Sequence, residues 1–239
     1  MTAQRGSTQM AGDRLAVVAD RAHLNGYLAL REAAPGLVIV ANGTGDSRYG
    51  TRNRRLVAGL NTIGFSTLLI DLLTERERHD RRRLSDVALL ARRLSAAQRW
   101  VTARVDSSRR VTFVGIGPGA AAALVTAAAF PSEVAAVISL SGRPDLAGGS
   151  LSSVIAPTLL IVGGQDHALV NRNFDARQHL NCPNRLLVIS AATHRFEEPG
   201  SLEAALSAID TWLGDYVART QDASGGAAGG EAAPGPPES

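Results

Sequence analysis

The sequence predicts an α/β domain in which helices cover both faces of a mainly parallel sheet. Strand-like and helix-like segments alternate along most of its 239 residues, and several strand-like segments are continuous apolar runs. Such runs are typical of strands buried on both faces, and repeated strand–helix–strand units produce parallel sheets. The length and the 45% apolar content also suit one medium-sized domain.

The first third of the chain predicts a hairpin followed by a buried strand–helix–strand unit. Short alternating segments at residues 15–18 and 26–30 are expected to pair as antiparallel strands. The run GLVIVA at 36–41 predicts a buried strand, and STLLIDL at 66–72 predicts another. Between them, residues 52–63 carry apolar side chains at helical spacing, which predicts an amphipathic helix.

The remaining elements continue the same alternation. Helical spacing or an alanine-rich composition predicts helices at 84–105, 118–130, 170–180 and 202–218. Short apolar runs predict strands at 111–115, 134–141, 158–163 and 184–189. We therefore expect a flexible N-terminus at 1–13, a domain at 14–218 and a disordered Gly/Ala/Pro-rich tail at 219–239.

Composition limits the compartment and the partners. The single cysteine, Cys182, excludes an internal disulfide framework and a zinc site built on several thiolates. No window approaches ~18 uninterrupted apolar residues, so no membrane span is expected. The first residues lack the apolar core of a secretory signal, which favours a cytoplasmic location. All 25 cationic residues are arginine, but 22 acidic residues accompany them, so the net charge of +3 does not require a nucleic-acid partner.

Candidate functional residues are expected in the loops that follow the buried strands, because ligands of such sheets lie beyond the carboxyl ends of the strands. Four loops qualify. They are NGTGDS at 42–47, GIGPG at 115–119, GGQD at 163–166 and AATH at 191–194.

The order of these loops resembles the α/β-hydrolase fold, and specifically its dienelactone-hydrolase-like branch. In that fold a nucleophile elbow, G-x-S-x-G, is followed by an acid and then by a histidine. The resemblance covers residues 14–217 and includes the stretches NGTGDSRYGTRNRR, LLIDLLTERERHDRRR, SGRPDLAG, PTLLIVGGQD and ATHRFEEPG. It implies hydrolysis of carboxylic esters or lactones without a cofactor, with Asp166 as the acid and His194 as the base.

Three positions depart from the family pattern. Gly117 stands where the serine nucleophile is expected, and it has no hydroxyl to form an acyl-enzyme. Pro118 follows it and lacks the backbone N–H that would help to form the oxyanion hole. Asn42 replaces the histidine that usually begins the first loop, although Gly43 and Gly45 remain. We expect Asn42, Gly43 and Pro118 to form an altered oxyanion region for a substrate or ligand.

Two functions follow from this pattern. The first is a non-catalytic protein that uses the ancestral pocket for a small molecule or a partner. The alternative is a cofactor-independent hydrolase or proton-transfer enzyme in which His194 and Asp166 act without a covalent intermediate.

Other site classes are less well supported. Gly115-x-Gly117-x-x-Ala120 fits a loose dinucleotide fingerprint, but Pro118 removes an amide where phosphate would bind. The run ERERHDRRR at 75–83 mixes both charge signs and has no aromatic residue for base stacking, so nucleic-acid binding is not expected. No metal is predicted, because the remaining histidines fall at no metal-ligand spacing; they are His23, His79, His167 and His179.

Overall fold

A computed structural model describes residues 12–19, 22–44, 50–105 and 110–218, which contain one eight-stranded sheet. The strand order is β1-β2-β4-β3-β5-β6-β7-β8. Strands β1 and β2 pair antiparallel, as do β2 and β4, and all other neighbouring pairs are parallel. The strands are β1 (Asp13–Ala19), β2 (Ala22–Ala29), β3 (Leu37–Asn42), β4 (Ser66–Asp71), β5 (Val111–Ile116), β6 (Val134–Leu140), β7 (Thr158–Gly163) and β8 (Asn184–Ile189).

Helices connect the parallel strands. They are α1 (Thr51–Thr62), α2 (Arg81–Leu84), α3 (Val87–Val105), α4 (Pro118–Ala129), α5 (His167–Arg177) and α6 (Ser201–Leu213). Short 3₁₀ segments lie at Glu77–His79 and Pro144–Ser153, and a π-helical turn at Gly214–Ala218 follows α6.

The sheet separates two hydrophobic clusters, as the continuous apolar strands predict. In β3, Ile39 faces the cluster beneath α3 and α4, whereas its neighbour Val40 faces the cluster beneath α1 and α6. Leu94 of α3 and Leu56 of α1 are fully buried on these opposite faces. Burial of such a side chain stabilises the fold by about 1.5–3 kcal/mol. Helices therefore cover both faces of the sheet, which confirms the predicted fold class.

The predicted hairpin and the six further predicted strands are all present, but β8 lies at the edge of the sheet and is only partly buried. The other differences concern two helix ends and one short segment. The helix predicted over 84–105 is interrupted before α3, because the Asp86 carboxylate accepts the N–H of Leu89 and caps a new helix. Helix α5 begins at His167, three residues before the predicted start, because Asp166 caps it. The 3₁₀ segment Pro144–Ser153 was not predicted, since its glycines and serines show no helical period.

The segments predicted to be flexible or disordered lie almost entirely outside the described residues. That holds for residues 1–11 and for the whole tail at 219–239, while Asp13 pairs with Leu28 at the start of β1. The limits of the domain stay a prediction. Within the described ranges, no helix combines the length and the apolar character needed to cross a membrane.

Candidate functional site

A cavity of about 390 Å³ lies at the carboxyl ends of the parallel strands. Thr44 lines it from the loop after β3, Gly117 from the turn after β5, and Ser141 from the loop after β6. Asp166 and His194 line it from the loops after β7 and β8. Three residues that are distant in sequence and were singled out from it, Gly117, Asp166 and His194, therefore share one cavity.

The turn between β5 and α4 has the sharp geometry of a strand-to-helix elbow. Gly117 has φ 56° and ψ −129°, a conformation that residues with a side chain adopt only under strain. Close packing surrounds it, because a Cβ on Gly119 would lie 2.2 Å from the carbonyl oxygen of Ala41. A Cβ on Gly43 would lie 2.3 Å from the backbone nitrogen of Gly119. The elbow thus depends on glycines at both contacts.

Backbone hydrogen bonds fix this elbow to the next loop. Pro118 is the first residue of α4, where its missing N–H leaves no helical bond unmade. The carbonyl oxygen of Gly117 accepts the N–H of Ala120 at 3.1 Å and that of Arg143 at 2.9 Å. The loop after β6 is therefore held directly against the elbow.

Asn42 is buried at the end of β3 and holds the first residues of the loop that follows. Its Nδ2 donates to Oδ1 of Asp71 at 2.9 Å, and its Oδ1 accepts the Thr44 hydroxyl at 2.9 Å. A Cβ built on Gly117 would lie only 2.6 Å from Cγ2 of Thr44. The space that a side chain at position 117 needs is thus already occupied by a methyl group.

Asp166 and His194 face each other loosely. Asp166 Oδ2 lies 3.8 Å from His194 Nδ1, which is beyond hydrogen-bonding distance. The His194 side chain is 58% exposed and that of Asp166 35%. Asp166 Oδ1 accepts the N–H of Leu169 at 3.0 Å, and the His194 carbonyl accepts Nη1 of Arg52 at 3.0 Å. The acid therefore also caps α5, and Arg52 holds the backbone of the histidine loop.

Four residues that the sequence did not single out also line the cavity. Arg52, Arg143 and Arg172 bring guanidinium groups from α1, from the loop after β6 and from α5. The Arg143 guanidinium donates a bidentate pair of hydrogen bonds to the Asp145 carboxylate, and these bonds raise the pKa of Arg143. Ser141 is buried at φ 46°, and its hydroxyl has no hydrogen-bond partner in the described part of the chain.

The described part of the site offers hydrogen-bond donors and an imidazole, and it contains nothing that resembles a metal centre. In the ranges that the structure describes, no three His, Cys, Asp or Glu side chains converge to hold a metal ion. Asn42, Gly43 and Pro118, which the sequence singled out, are not among the residues that line the cavity, although Asn42 is hydrogen-bonded to Thr44, which does line it. Sequence reasoning missed Thr44 because its effect depends on a contact between two loops.

A mainly parallel sheet with an elbow after β5, an acid after β7 and a histidine after β8 defines a protein of the α/β-hydrolase fold. The family model for the dienelactone hydrolase family matches residues 24–214. The chain belongs to the dienelactone hydrolase family.

Solved structures agree with this assignment. The dienelactone hydrolase of Anabaena variabilis is 42% identical with a TM-score of 0.79, and the match covers 87% of this chain and 99% of that one. Est1E of Butyrivibrio proteoclasticus shares the fold at 17% identity and a TM-score of 0.71, over 86% of this chain and 98% of its own.

Two curated Mycobacterium tuberculosis proteins are 41% identical over 222 residues, and each bears the name "putative phosphoribosyl transferase". The match covers 90% of this chain, which spans about half the length of these relatives.

Proposed function

We propose that this protein is a non-catalytic member of the dienelactone hydrolase family that binds a small molecule in the cavity above Gly117. The observation that carries the proposal is the elbow itself, which keeps its sharp geometry around a residue without a side chain. A covalent acyl-enzyme needs a nucleophilic atom at this turn, and glycine supplies none.

Two further features support the loss of the serine mechanism. Pro118 has no N–H to donate to an oxyanion, and removal of one such donor typically lowers turnover by ~10²–10³-fold. The Thr44 methyl group fills the space at the elbow, where a Cβ on Gly117 would lie 2.6 Å away. The elbow therefore has no nucleophilic side chain, no N–H from residue 118 for an oxyanion, and no open space for a side chain at position 117.

A small molecule is a better occupant of this cavity than a macromolecule. The volume of about 390 Å³ is within the usual range of ligand pockets, roughly 300–1,000 Å³. Nucleic-acid binding is not proposed, because arginines in and beyond the run at 75–83 are engaged by acids. Arg78 pairs with Glu75, Arg83 with Asp86, and Glu77 with Arg93.

A cytoplasmic location is part of the same proposal. It is supported by the single, buried Cys182, because disulfides are common in secreted proteins. Phosphoribosyl transfer is not proposed, since this chain spans about half the length of the relatives that bear that name.

The proposal is tested with a fluorophosphonate probe and a ligand screen. The probe is expected to leave the peptide of residues 111–119 unlabelled. Ester, lactone and acyl compounds are screened in parallel by thermal shift and by product formation. A compound that raises the melting temperature and is recovered intact supports the binding function. Labelling of that peptide, or hydrolysis of an ester by the unmodified protein, would contradict it.

A second candidate is an enzyme in which His194 is a general base. Its support is the 3.8 Å separation of Asp166 Oδ2 from His194 Nδ1, since a small rotation would bring the two into hydrogen-bonding distance. The imidazole would then accept a proton from water or from an acidic substrate. Turnover that falls by ~10²-fold or more in His194→Ala and is retained in His179→Ala would favour this candidate.

A further inference from the structure

We propose that two copies of this chain pair through strand β8 and form a two-fold dimer with one continuous sheet. Strand β8 is the last in the strand order, and among the described strands only β7 pairs with it. The proposal does not rest on the proposed function, because none of the described residues that line the cavity above Gly117 belongs to β8.

The outer edge of β8 carries backbone groups that are free to pair. Alternate residues of β8 bond to β7, and at the end of this ladder the Ile189 carbonyl oxygen accepts the N–H of Gly164. Leu186 and Val188 occupy the other alternation positions, so their N–H and C=O groups point away from β7. Within the described ranges, no backbone group bonds to either residue from outside. A row of free donors and acceptors of this kind is a template for another strand.

Strand β8 lacks the features that commonly protect an edge strand. Its sequence, NRLLVI, contains one charged residue, Arg185, and no proline. Its pairing with β7 continues from Asn184 to Ile189 without a shift of register, so no bulge interrupts it. Natural edge strands are blunted by charges, proline or bulges. A regular apolar edge is therefore expected to be covered by another strand.

Helix α5 extends the apolar surface beside this edge. Arg177 Nε donates to Oδ1 of Asn184 at 2.9 Å, so this side of α5 lies over β8. Phe174 is three residues earlier, on the same side of the helix, and is 51% exposed, while Val188 of β8 is 40% exposed. A stable interface buries roughly 1,200 Å² or more in total, which one short strand does not supply. The exposed side of α5 adds to that area.

The residue pattern of β8 favours a second copy of the same strand as the occupant. In a two-fold antiparallel pair, residues that oppose each other lie on the same face of the sheet. If Leu187 lies opposite its own copy, Leu186 of each protomer lies opposite Val188 of the other. These central pairs are all apolar, and the free backbone groups of Leu186 and Val188 then bond to one another.

This register also keeps like charges apart. Arg185 of one protomer lies opposite Ile189 of the other, about 13 Å along the strand from the partner's Arg185. Charges at that separation are largely screened at physiological salt. The chain beyond residue 218 is a poor alternative occupant, since residues 219–239 contain no Val, Ile, Leu or aromatic residue to cover the edge.

Sedimentation equilibrium of the full-length chain tests the proposal. At about 50 μM the protein is expected to have twice the mass of one chain. Val188→Lys brings a charge against an apolar partner in each copy and should weaken dimerisation by at least about tenfold. Val18→Lys is the matched control, because Val18 is a 61% exposed valine on β1 at the opposite edge of the sheet. It should change the dissociation constant by less than about twofold.

A cysteine at the centre of the pair tests the register. Leu187→Cys places two thiols on a non-hydrogen-bonded pair whose Cα atoms lie about 4.5 Å apart, within the range that a disulfide spans. Mild oxidation should therefore give a covalent dimer on non-reducing gels. In Val188→Cys the two Cα atoms would be about 8 Å apart, too far for a disulfide. The original protein, whose one cysteine is buried, should give no covalent dimer.

Three results would overturn the proposal. They are a monomeric mass at about 50 μM, equal effects of Val188→Lys and Val18→Lys on dimerisation, and cross-linking of Val188→Cys as fast as that of Leu187→Cys. None of them bears on the proposed binding function, which the fluorophosphonate probe and the ligand screen test separately.

Discussion

The methyl group of Thr44 lies where a side chain on residue 117 would begin, with 2.6 Å between Cγ2 and a Cβ built on Gly117. The Thr44 hydroxyl bonds to Asn42 Oδ1 at 2.9 Å, and Asn42 is in turn anchored to Asp71. Any side chain introduced at position 117 must therefore displace Thr44, whose hydroxyl is held by Asn42 and, through it, by Asp71.

Esterase activity should require several substitutions together. Gly117→Ser alone is expected to hydrolyse little p-nitrophenyl acetate, because Thr44 crowds the new hydroxyl and Pro118 donates no N–H. Adding Pro118→Thr restores the donor and should raise the rate by roughly 10²-fold. From the sequence alone, Asn42→His is the natural third change. The structure favours Thr44→Ser, which removes the methyl and keeps the hydroxyl bonded to Asn42.

The control for this series is His194→Ala in the triple variant, where the gained activity should disappear. The single variant should also unfold at a lower urea concentration, since a serine at φ 56° costs roughly 1–3 kcal/mol. If Gly117→Ser alone matches the triple variant, Pro118 and Thr44 do not limit the activity of a serine at position 117.

Asp166 should contribute to stability through its cap on α5. Its Oδ1 accepts the N–H of Leu169, so Asp166→Ala is expected to lower the free energy of unfolding by about 1 kcal/mol in urea titrations. Asp166→Asn keeps an acceptor oxygen and should stay within about 0.5 kcal/mol of the original protein. Equal losses in both variants would show that the charge, and not the cap, stabilises the helix.

The Glu77–Arg93 ion pair should make the free energy of unfolding fall as the pH is lowered. Hydrogen bonding from Arg93, whose side chain is only 4% exposed, lowers the pKa of Glu77 from 4.5 to about 2. Because the folded pKa is below the unfolded one, the stabilisation is complete above pH 4.5 and disappears as the pH falls towards 2. Glu77→Gln should therefore cost about 2 kcal/mol at neutral pH, and less as the solution is acidified.

Glu203→Gln provides a control for that experiment. Glu203 pairs with Arg55 on the surface, where both side chains are exposed. Its loss is expected to change the free energy of unfolding by less than about 0.5 kcal/mol. The difference in the free energy of unfolding between Glu77→Gln and the original protein should narrow below pH 4.5. If it does not, the lowered pKa of Glu77 is contradicted.

Cys182 should be an unreactive thiol. Burial raises its pKa, and its Sγ lies 3.6 Å from the hydroxyl of Thr158. Its reaction with Ellman's reagent at neutral pH is expected to be at least about 100-fold slower in the folded protein than in urea. If Cys182 reacts in the folded protein nearly as fast as in urea, the segment around Cys182 opens readily.

The sequence predicted most of the fold, because continuous apolar runs such as GLVIVA in β3 leave few alternatives for a buried strand. It did not place helix ends that depend on a single side chain, such as the cap that Asp86 makes with Leu89. Residues 144–153 were also missed, since single helical turns depend on neighbouring packing more than on a periodic pattern.

For the site, the order of loops was sufficient to bring Gly117, Asp166 and His194 to one cavity. The distance between Asp166 and His194 could not be predicted from the sequence, and neither could the contact of Thr44 with the elbow. The cationic lining was missed for the same reason: Arg52 and Arg172 lie 120 positions apart, and no local pattern shows that their helices open onto one cavity.

The bond from the Arg143 N–H to the Gly117 carbonyl is made by two backbone atoms. A backbone bond does not depend on which side chains surround it. Neighbouring side chains such as those of Thr44 and Arg143 can therefore vary while the turn keeps its shape, so this scaffold separates the stability of the elbow from the chemistry of the cavity that the elbow lines.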